Sequence, residues 1–224
     1  RYVRFQLDAS GNILSLFNSS METDRHGQHM IWGIPYSQYV RSELTLGNTL
    51  FFGRGDNQSV AFRLLGGYSL AYGNSFTLPL EKQFYSGGAS SMRGWQVRTL
   101  GPGRSDPEAY WTIPCQTGDI KLEANAEYRF PMFWKLQGAL FLDAGNIWYS
   151  RDWGDDGYIG KDFFRSIALD WGLGARIDLT FLVLRLDLGI KLYDPAISGI
   201  GWYGPQEWSR KDCYALHFGV GYPF

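Results

Sequence analysis

Residues 181–193 read FLVLRLDLGIKLY and alternate aliphatic with polar side chains along most of their length. The aliphatic residues share the even-numbered positions: Leu182, Leu184, Leu186, Leu188, Ile190 and Leu192. The charged residues Arg185, Asp187 and Lys191 share the odd-numbered ones. Because successive side chains of a β-strand point to opposite faces, the segment predicts a strand with one aliphatic face and one charged face.

The same alternation recurs along the chain and predicts about eight strands. They lie near residues 1–17, 34–50, 59–73, 119–130, 135–148, 165–178, 181–193 and 213–224. The first is the least regular, since its pattern fades after Leu7. A tilted strand needs about 9–11 residues to cross the apolar part of a bilayer, and segments of this length are therefore typical of membrane-spanning strands.

The linkers between these strands alternate in length. The short ones are 51–58, 131–134 and 179–180, and the long ones are 18–33, 74–118, 149–164 and 194–212. Outer-membrane barrels have short periplasmic turns and long external loops, so the order favours an all-β, transmembrane antiparallel β-barrel. The alternative is a water-soluble β-sandwich or lipocalin-like barrel, whose loops would not sort by length.

The composition agrees with a barrel. The chain has 224 residues, enough for one large β domain, and its 28 glycines and 17% aromatic content are typical of that class. No run approaches the roughly eighteen apolar residues of a membrane helix. The net charge of −1 argues against a nucleic-acid partner. The chain begins at Arg1 in strand-like sequence, which predicts a fragment or a trimmed mature chain.

Three motifs occur in a fixed order. Residues 87–95 read GGASSMRGW, residues 126–131 read AEYRFP, and residues 141–148 read FLDAGNIW. Together they resemble the BamA/TamA family of outer-membrane assembly barrels, with their surface-antigen-type domain. The hallmark of that family is a hydrophobic–Arg–Gly–aromatic tetrad in a long loop. The matching residues here, called the tetrad below, are Met92, Arg93, Gly94 and Trp95.

The resemblance implies that residues 1–224 are the C-terminal half of a barrel of about sixteen strands. The N-terminal strands and the periplasmic repeat domains of the family would then lie outside this chain. It also implies a lateral seam between the first and last strands of the whole barrel, of which only the last strand is present. An eight-stranded barrel closed on itself would be filled by its own side chains and could not admit a long loop.

An arginine on a loop folded into the barrel requires anionic partners, because an unpaired charge in a confined site is costly. Asp143 and Glu127 have inward parity on neighbouring predicted strands, and the resemblance makes them the expected partners of Arg93. Counting from the turn at 131–134 places Glu127 opposite residue 138, well below Asp143, so Glu123 competes for the same role.

The other tetrad residues have expected roles of their own. Gly94 permits a close approach to the wall or a positive φ. Trp95 is expected to pack on the inner wall in the space left by the small residues Gly67, Ser69 and Ala71.

The last predicted strand carries hydrophobic residues at alternate positions up to its end: Phe218, Val220, Tyr222 and Phe224. This row resembles the C-terminal sorting signal of client barrels, although an ordinary last strand with an interfacial aromatic fits the same residues. Cys115 and Cys213 fall at the external ends of strands, where either a disulfide or two free thiols is chemically permitted.

The sequence contains no convincing nucleophile–base pair, phosphate-binding glycine motif or metal-ligand set, which predicts a protein that is not an enzyme and has no cofactor. We expect assembly, insertion or translocation of proteins at the outer membrane of a Gram-negative bacterium. The alternatives are a two-partner-type secretion pore and a passive porin or adhesin. The expected partners are outer-membrane lipids, client outer-membrane or secreted proteins, and periplasmic or lipoprotein accessory proteins.

Overall fold

The computed structural model describes residues 1–105, 116–153, 156–160, 162–179, 181–197 and 201–223. The long strands are β1 (Tyr2–Ser10), β5 (Tyr39–Phe52), β6 (Gln58–Ala71), β7 (Ile120–Pro131), β8 (Leu136–Trp148), β9 (Ala168–Asp178), β10 (Val183–Tyr193) and β11 (Tyr214–Val220). Three short strands form a separate small sheet: β2 (Glu22–Thr23), β3 (His29–Ile31) and β4 (Ile34–Pro35). Helical structure is limited among the described residues to α1 (Asn12–Ser15) and the 3₁₀ turns Asn18–Ser20 and Phe163–Ser166.

The long strands make one antiparallel sheet in the order β1-β5-β6-β7-β8-β9-β10-β11. Among the described residues, β1 pairs only with β5 and β11 only with β10, so both edges of the sheet are open. Within the same described ranges, no helix is long and apolar enough to cross a membrane.

The two faces of the sheet reverse the usual arrangement of a soluble protein. On β10, Leu186 is 47% exposed, whereas its neighbour Asp187 is fully buried. The same inversion holds on β7, where Glu127 is buried, and on β8, where Leu142 is exposed and Asp143 is buried. An apolar outer face and a polar, covered inner face are the pattern of a membrane barrel, and the predicted fold class is confirmed.

The connections also sort by length as expected. The connections after Phe52, Pro131 and Asp178 are short and join strands at one end of the sheet, and the connections after Ser10, Ala71, Trp148 and Tyr193 are long and begin at the other end. Residues 84–100 of the longest connection fold back over the polar face, and most of their inward side chains are buried there. This part of the loop therefore covers the inner face of the sheet.

The first strand is shorter than predicted. The segment assigned to residues 1–17 leaves the sheet after Ser10, and α1 follows. Gly11 has φ 79°, and a Cβ at this position would lie 2.6 Å from the carbonyl oxygen of Ser37. The turn at Gly11 thus ends the strand before the predicted limit.

The last strand also ends early, at Val220 and not at residue 224. Gly221 has φ 84° and redirects the chain, so that the Tyr222 ring lies against Arg129, whose guanidinium carbon is 4.5 Å from the ring centroid. Phe218 and Val220 keep the predicted outward direction, at 68% and 66% exposure. Tyr222 does not join that row, which corrects the prediction, and Phe224 lies outside the described residues.

Candidate functional site

Charged side chains line the inner face of the sheet from β6 to β10. Because an unpaired charge away from water is costly, each needs partners. Glu127 is the centre of this network on β7: Nε of Arg129 donates to its Oε1 at 2.7 Å, and Nη2 of Arg176 donates to its Oε2 at 3.0 Å. Arg176 also donates through Nη1 to Oδ1 of Asp187, at 2.6 Å. These bonds tie β7 to β9 and β10 across the sheet.

Arg93 inserts into this network from the loop and is fully buried. Its Nε and Nη2 donate to Oδ2 and Oδ1 of Asp143, each at 2.8 Å, and its Nη1 donates to Oε2 of Glu127. The guanidinium carbon lies 3.6 Å from the centroid of the Phe141 ring. Asn125 donates through Nδ2 to Oδ1 of Asp143 at 2.9 Å. The bidentate interaction with Asp143, together with the bond to Glu127, fixes both the position and the orientation of the guanidinium.

One guanidinium reaches both carboxylates because of the register of β7 and β8. Glu127 lies opposite Phe141, and Asp143 is therefore its diagonal neighbour on the same face. The predicted pairing of Glu127 with residue 138 is wrong by three residues. Directly opposed residues point to the same face, and residue 138 has the outward parity, so that pairing also conflicted with the alternation itself. The turn at residues 132–135 sets the observed register.

Glu123, the competing candidate, binds a different part of the loop. Ser86 donates through Oγ to its Oε1 at 2.8 Å, and Ser91 donates through Oγ to the same oxygen. The charge of Glu123 is balanced by two cations: Nη2 of Arg63 lies 3.2 Å from its Oε2, and Nζ of Lys121 lies 3.1 Å from its Oε1. Both glutamates of β7 therefore hold the loop, Glu127 at the tetrad and Glu123 just before it.

Gly94 packs directly on the wall of the sheet. A Cβ at this position would lie 2.6 Å from Cβ and 3.1 Å from Cγ of Asp170 on β9, closer than real Cβ contacts allow. The close approach expected of this glycine is thus present, and Asp170 is the group it approaches.

Trp95 lies in a different place from the one predicted. It is buried with Met92, Leu100 and Ala168, and its Nε1 donates to Oδ2 of Asp194 at 3.3 Å. The small residues of β6 make room for other side chains of the loop. A Cβ at Gly67 would lie 2.5 Å from the Phe84 ring, and Ala71 packs with Leu78 and Tyr39. Parity alone could not distinguish which loop residue fills which gap.

The chain has two cysteines, Cys115 and Cys213. Cys213 is a buried free cysteine, and burial raises the pKa of its thiol. Cys115 lies outside the described residues, so both alternatives for the pair, a disulfide or two free thiols, stay predictions. Within the described ranges, no group of three or more His, Cys, Asp or Glu side chains could hold a metal ion.

The sequence did not identify Gly189 and His217, which both contact the tetrad. A Cβ at Gly189 on β10 would collide with the carbonyl group of Arg93. Nε2 of His217 on β11 lies 3.0 Å from the carbonyl oxygen of Arg93. The only available signal was their inward parity, which many residues share.

Comparison with known proteins places this geometry in a family. Residues 30–224 match the Omp85 superfamily domain. The outer membrane protein assembly factor BamA of Neisseria meningitidis serogroup B is 33% identical over 95 residues, which are 40% of this chain and 12% of that protein. A crystal structure of BamA from Haemophilus ducreyi lacking POTRA domains 1–3 shares the fold, with a TM-score of 0.54 and 15% identity over 73% of this chain and 33% of that one. The match therefore spans only a small part of each relative. Since the family domain covers most of its length and its eight-stranded sheet has an apolar outer face and a polar inner face, the chain belongs to the Omp85 superfamily and forms part of a β-barrel of the bacterial outer membrane.

Proposed function

We propose that this chain is the C-terminal half of an assembly barrel that inserts or translocates client proteins at the outer membrane. In this proposal the barrel opens at a lateral seam along β11, and the tetrad is the latch that holds the loop inside. The observation that carries it is the burial of Arg93 between Asp143 and Glu127 on the polar face. The relative from Neisseria, whose name is that of an outer membrane protein assembly factor, supports the same assignment.

The open edges of the sheet support a barrel completed by further strands. β1 and β11 each have one paired neighbour among the described residues, and an unpaired edge in a bilayer would leave backbone groups without hydrogen bonds. We therefore infer that strands outside this chain pair with both edges.

The last strand is suited to transient opening. Seven residues of β11 pair with β10, whereas fourteen residues of β5 pair with β6. A strand as short as β11 also offers few backbone hydrogen bonds to a partner on its open edge, and fewer bonds lower the free energy needed to open the seam. An exposed strand edge can then accept a client strand by β-augmentation, in which backbone bonds supply affinity and alternate side chains supply selectivity.

The loop argues against a passive porin. Residues 84, 86, 91–95 and 100 are buried over the inner face, so the loop fills space that a diffusion channel leaves to water. A latch made of buried ion pairs is suited to a loop that stays in one position until a partner protein displaces it. Outer-membrane lipids, client proteins and periplasmic or lipoprotein accessory proteins are the partners we infer, and no enzymatic step is required.

The test is depletion of the full-length protein in its own bacterium, complemented by the wild type or by Arg93→Ala. We expect depletion and the variant to lower the amounts of many outer-membrane proteins, measured by quantitative mass spectrometry of isolated membranes. Unchanged amounts after depletion would reject the proposal. Loss of a single secreted protein with the rest unchanged would favour the two-partner-type secretion pore. Steady conductance of the purified protein in liposomes would favour a passive channel.

A further inference from the structure

The tetrad contacts the last strand as well as the carboxylates of β7 and β8. His217 lies at an inward position of β11 and is buried, and its Nε2 is 3.0 Å from the carbonyl oxygen of Arg93. Because a carbonyl oxygen only accepts hydrogen bonds, the ring nitrogen is the donor. Arg93, whose guanidinium is fully buried, is therefore also bonded through its backbone carbonyl to the strand at the edge of the sheet.

The neighbouring strand is shaped to receive the same backbone. A Cβ at Gly189 on β10 would collide with the carbonyl group of Arg93 and would lie 2.7 Å from the backbone nitrogen of Gly94. Gly189 pairs with Ala215, two residues before His217. The tetrad backbone thus lies across the β10–β11 pair, with Gly189 below it and His217 beside it.

A third contact joins the loop to the same two strands. Nη2 of Arg185 on β10 donates to Oγ of Ser90 at 2.8 Å. The side chain of Arg185 crosses the face of β11 at Gly219, where a Cβ would collide with its Nε. On the inner face of β11, His217 therefore contacts the loop directly, and Gly219 contacts the Arg185 side chain that binds the loop.

Resting on the function proposed above, we propose that His217 couples the tetrad to the last strand, so that seating of the loop and pairing of β11 stabilise each other. Coupling of this kind is reciprocal: whatever displaces the loop loosens β11, and whatever separates β11 from β10 loosens the loop. A client strand that binds the open edge of β11 and loosens its pairing with β10 would then also release the latch. His217 is a positioning residue in this scheme, acting through the Arg93 carbonyl.

Hydrogen–deuterium exchange of the full-length protein in lipid nanodiscs tests the coupling. His217→Phe removes the donor and keeps a ring, His217→Gln keeps a side-chain N–H donor, and Gly189→Ala displaces the tetrad backbone without altering its carboxylate partners. Gly66→Ala is the matched control, because a Cβ there meets only Leu122, at an ordinary 3.5 Å.

We expect His217→Phe and Gly189→Ala to speed exchange of the amides of residues 214–220 about tenfold, the change expected for loss of one net hydrogen bond. Exchange in residues 84–100 should accelerate in the same variants, His217→Gln should restore most of the protection, and Gly66→Ala should match the wild type. Unchanged exchange in residues 214–220 would overturn the proposal. Equal acceleration in residues 58–71 would also overturn it, because it would indicate general destabilisation of the sheet.

The double variant Arg93→Ala, His217→Phe provides a second measurement. If the contact of His217 with Arg93 carries the coupling, the effects of the two substitutions on the amide exchange of residues 214–220, expressed as free energies, will be less than additive. Full additivity would refute the coupling. Neither exchange measurement depends on client proteins. A negative result in either one would therefore reject the coupling without bearing on the depletion test of the proposed function.

Discussion

Replacing Arg93 by alanine should release the loop from the inner face while the sheet stays assembled. The substitution removes the three side-chain bonds from the guanidinium to Asp143 and Glu127 and its stacking on Phe141. The strand pairing of β7 with β8 does not depend on the guanidinium, since it is made by the backbone. The effect should therefore fall on the loop and, through the contact of Arg93 with His217, on β11, and not on the pairing of β7 with β8.

The free energy lost in Arg93→Ala depends on the hydrogen-bond partners that Asp143 and Glu127 keep after the substitution. Hydrogen bonds to charged groups contribute about 1.5–3 kcal/mol each. The simple sum overstates the loss, because Glu127 keeps Arg129 and Arg176, and Asp143 keeps Asn125. We expect about 3–5 kcal/mol, the range found when one partner of a buried ion pair is removed. At about 1.4 kcal/mol per factor of ten, the population with an open loop rises by roughly two to three and a half orders of magnitude.

Limited proteolysis with proteinase K measures that population, because cleavage tracks the open fraction when opening is fast relative to cleavage. Cleavage within residues 84–100 should accelerate strongly in Arg93→Ala, while circular dichroism reports an unchanged β-sheet. Arg98→Ala is the control, since Arg98 lies in the same loop and its guanidinium stacks 4.9 Å from the ring centroid of Tyr85 near the surface. A cleavage rate in Arg93→Ala equal to that of the control would refute the latch.

Three further outcomes can be checked separately. Gly94→Ala should raise the cleavage rate of the loop as Arg93→Ala does, because the new Cβ would lie 2.6 Å from Cβ of Asp170. A wild-type cleavage rate would contradict this, because it would show that Asp170 on β9 moves to make room for the new Cβ. Leu186→Arg on the outer face should lower the free energy of unfolding in lipid by about 2–4 kcal/mol if the residue lies near the bilayer midplane, and a neutral effect in a refolding titration would argue against lipid contact. Cys213 should react slowly with maleimide at pH 8, since burial raises the pKa of its thiol and lowers the thiolate fraction, and reaction should become complete in denaturant without reductant. A thiol that stays unlabelled in denaturant would instead indicate the disulfide to Cys115.

The sequence by itself determined which way the strands face and where the long loops lie. Alternation with a period of two is a local property, and it separated the outward Leu186 from the inward Asp187 without knowledge of any neighbour. The same parity, together with the ordered motifs, named Asp143 and Glu127 as the carboxylates facing Arg93.

Only the tertiary structure decided how the strands are aligned and what the loop touches. The register that brings Glu127 beside Asp143 depends on the geometry of the turn at residues 132–135, because parity fixes the face of a residue and not its height along the sheet. The contact of His217 with Arg93 joins residues 124 positions apart in the chain, which no local pattern can report. Backbone pairing, turn geometry and close packing at glycines set these distances, and they act only when distant segments of the chain meet.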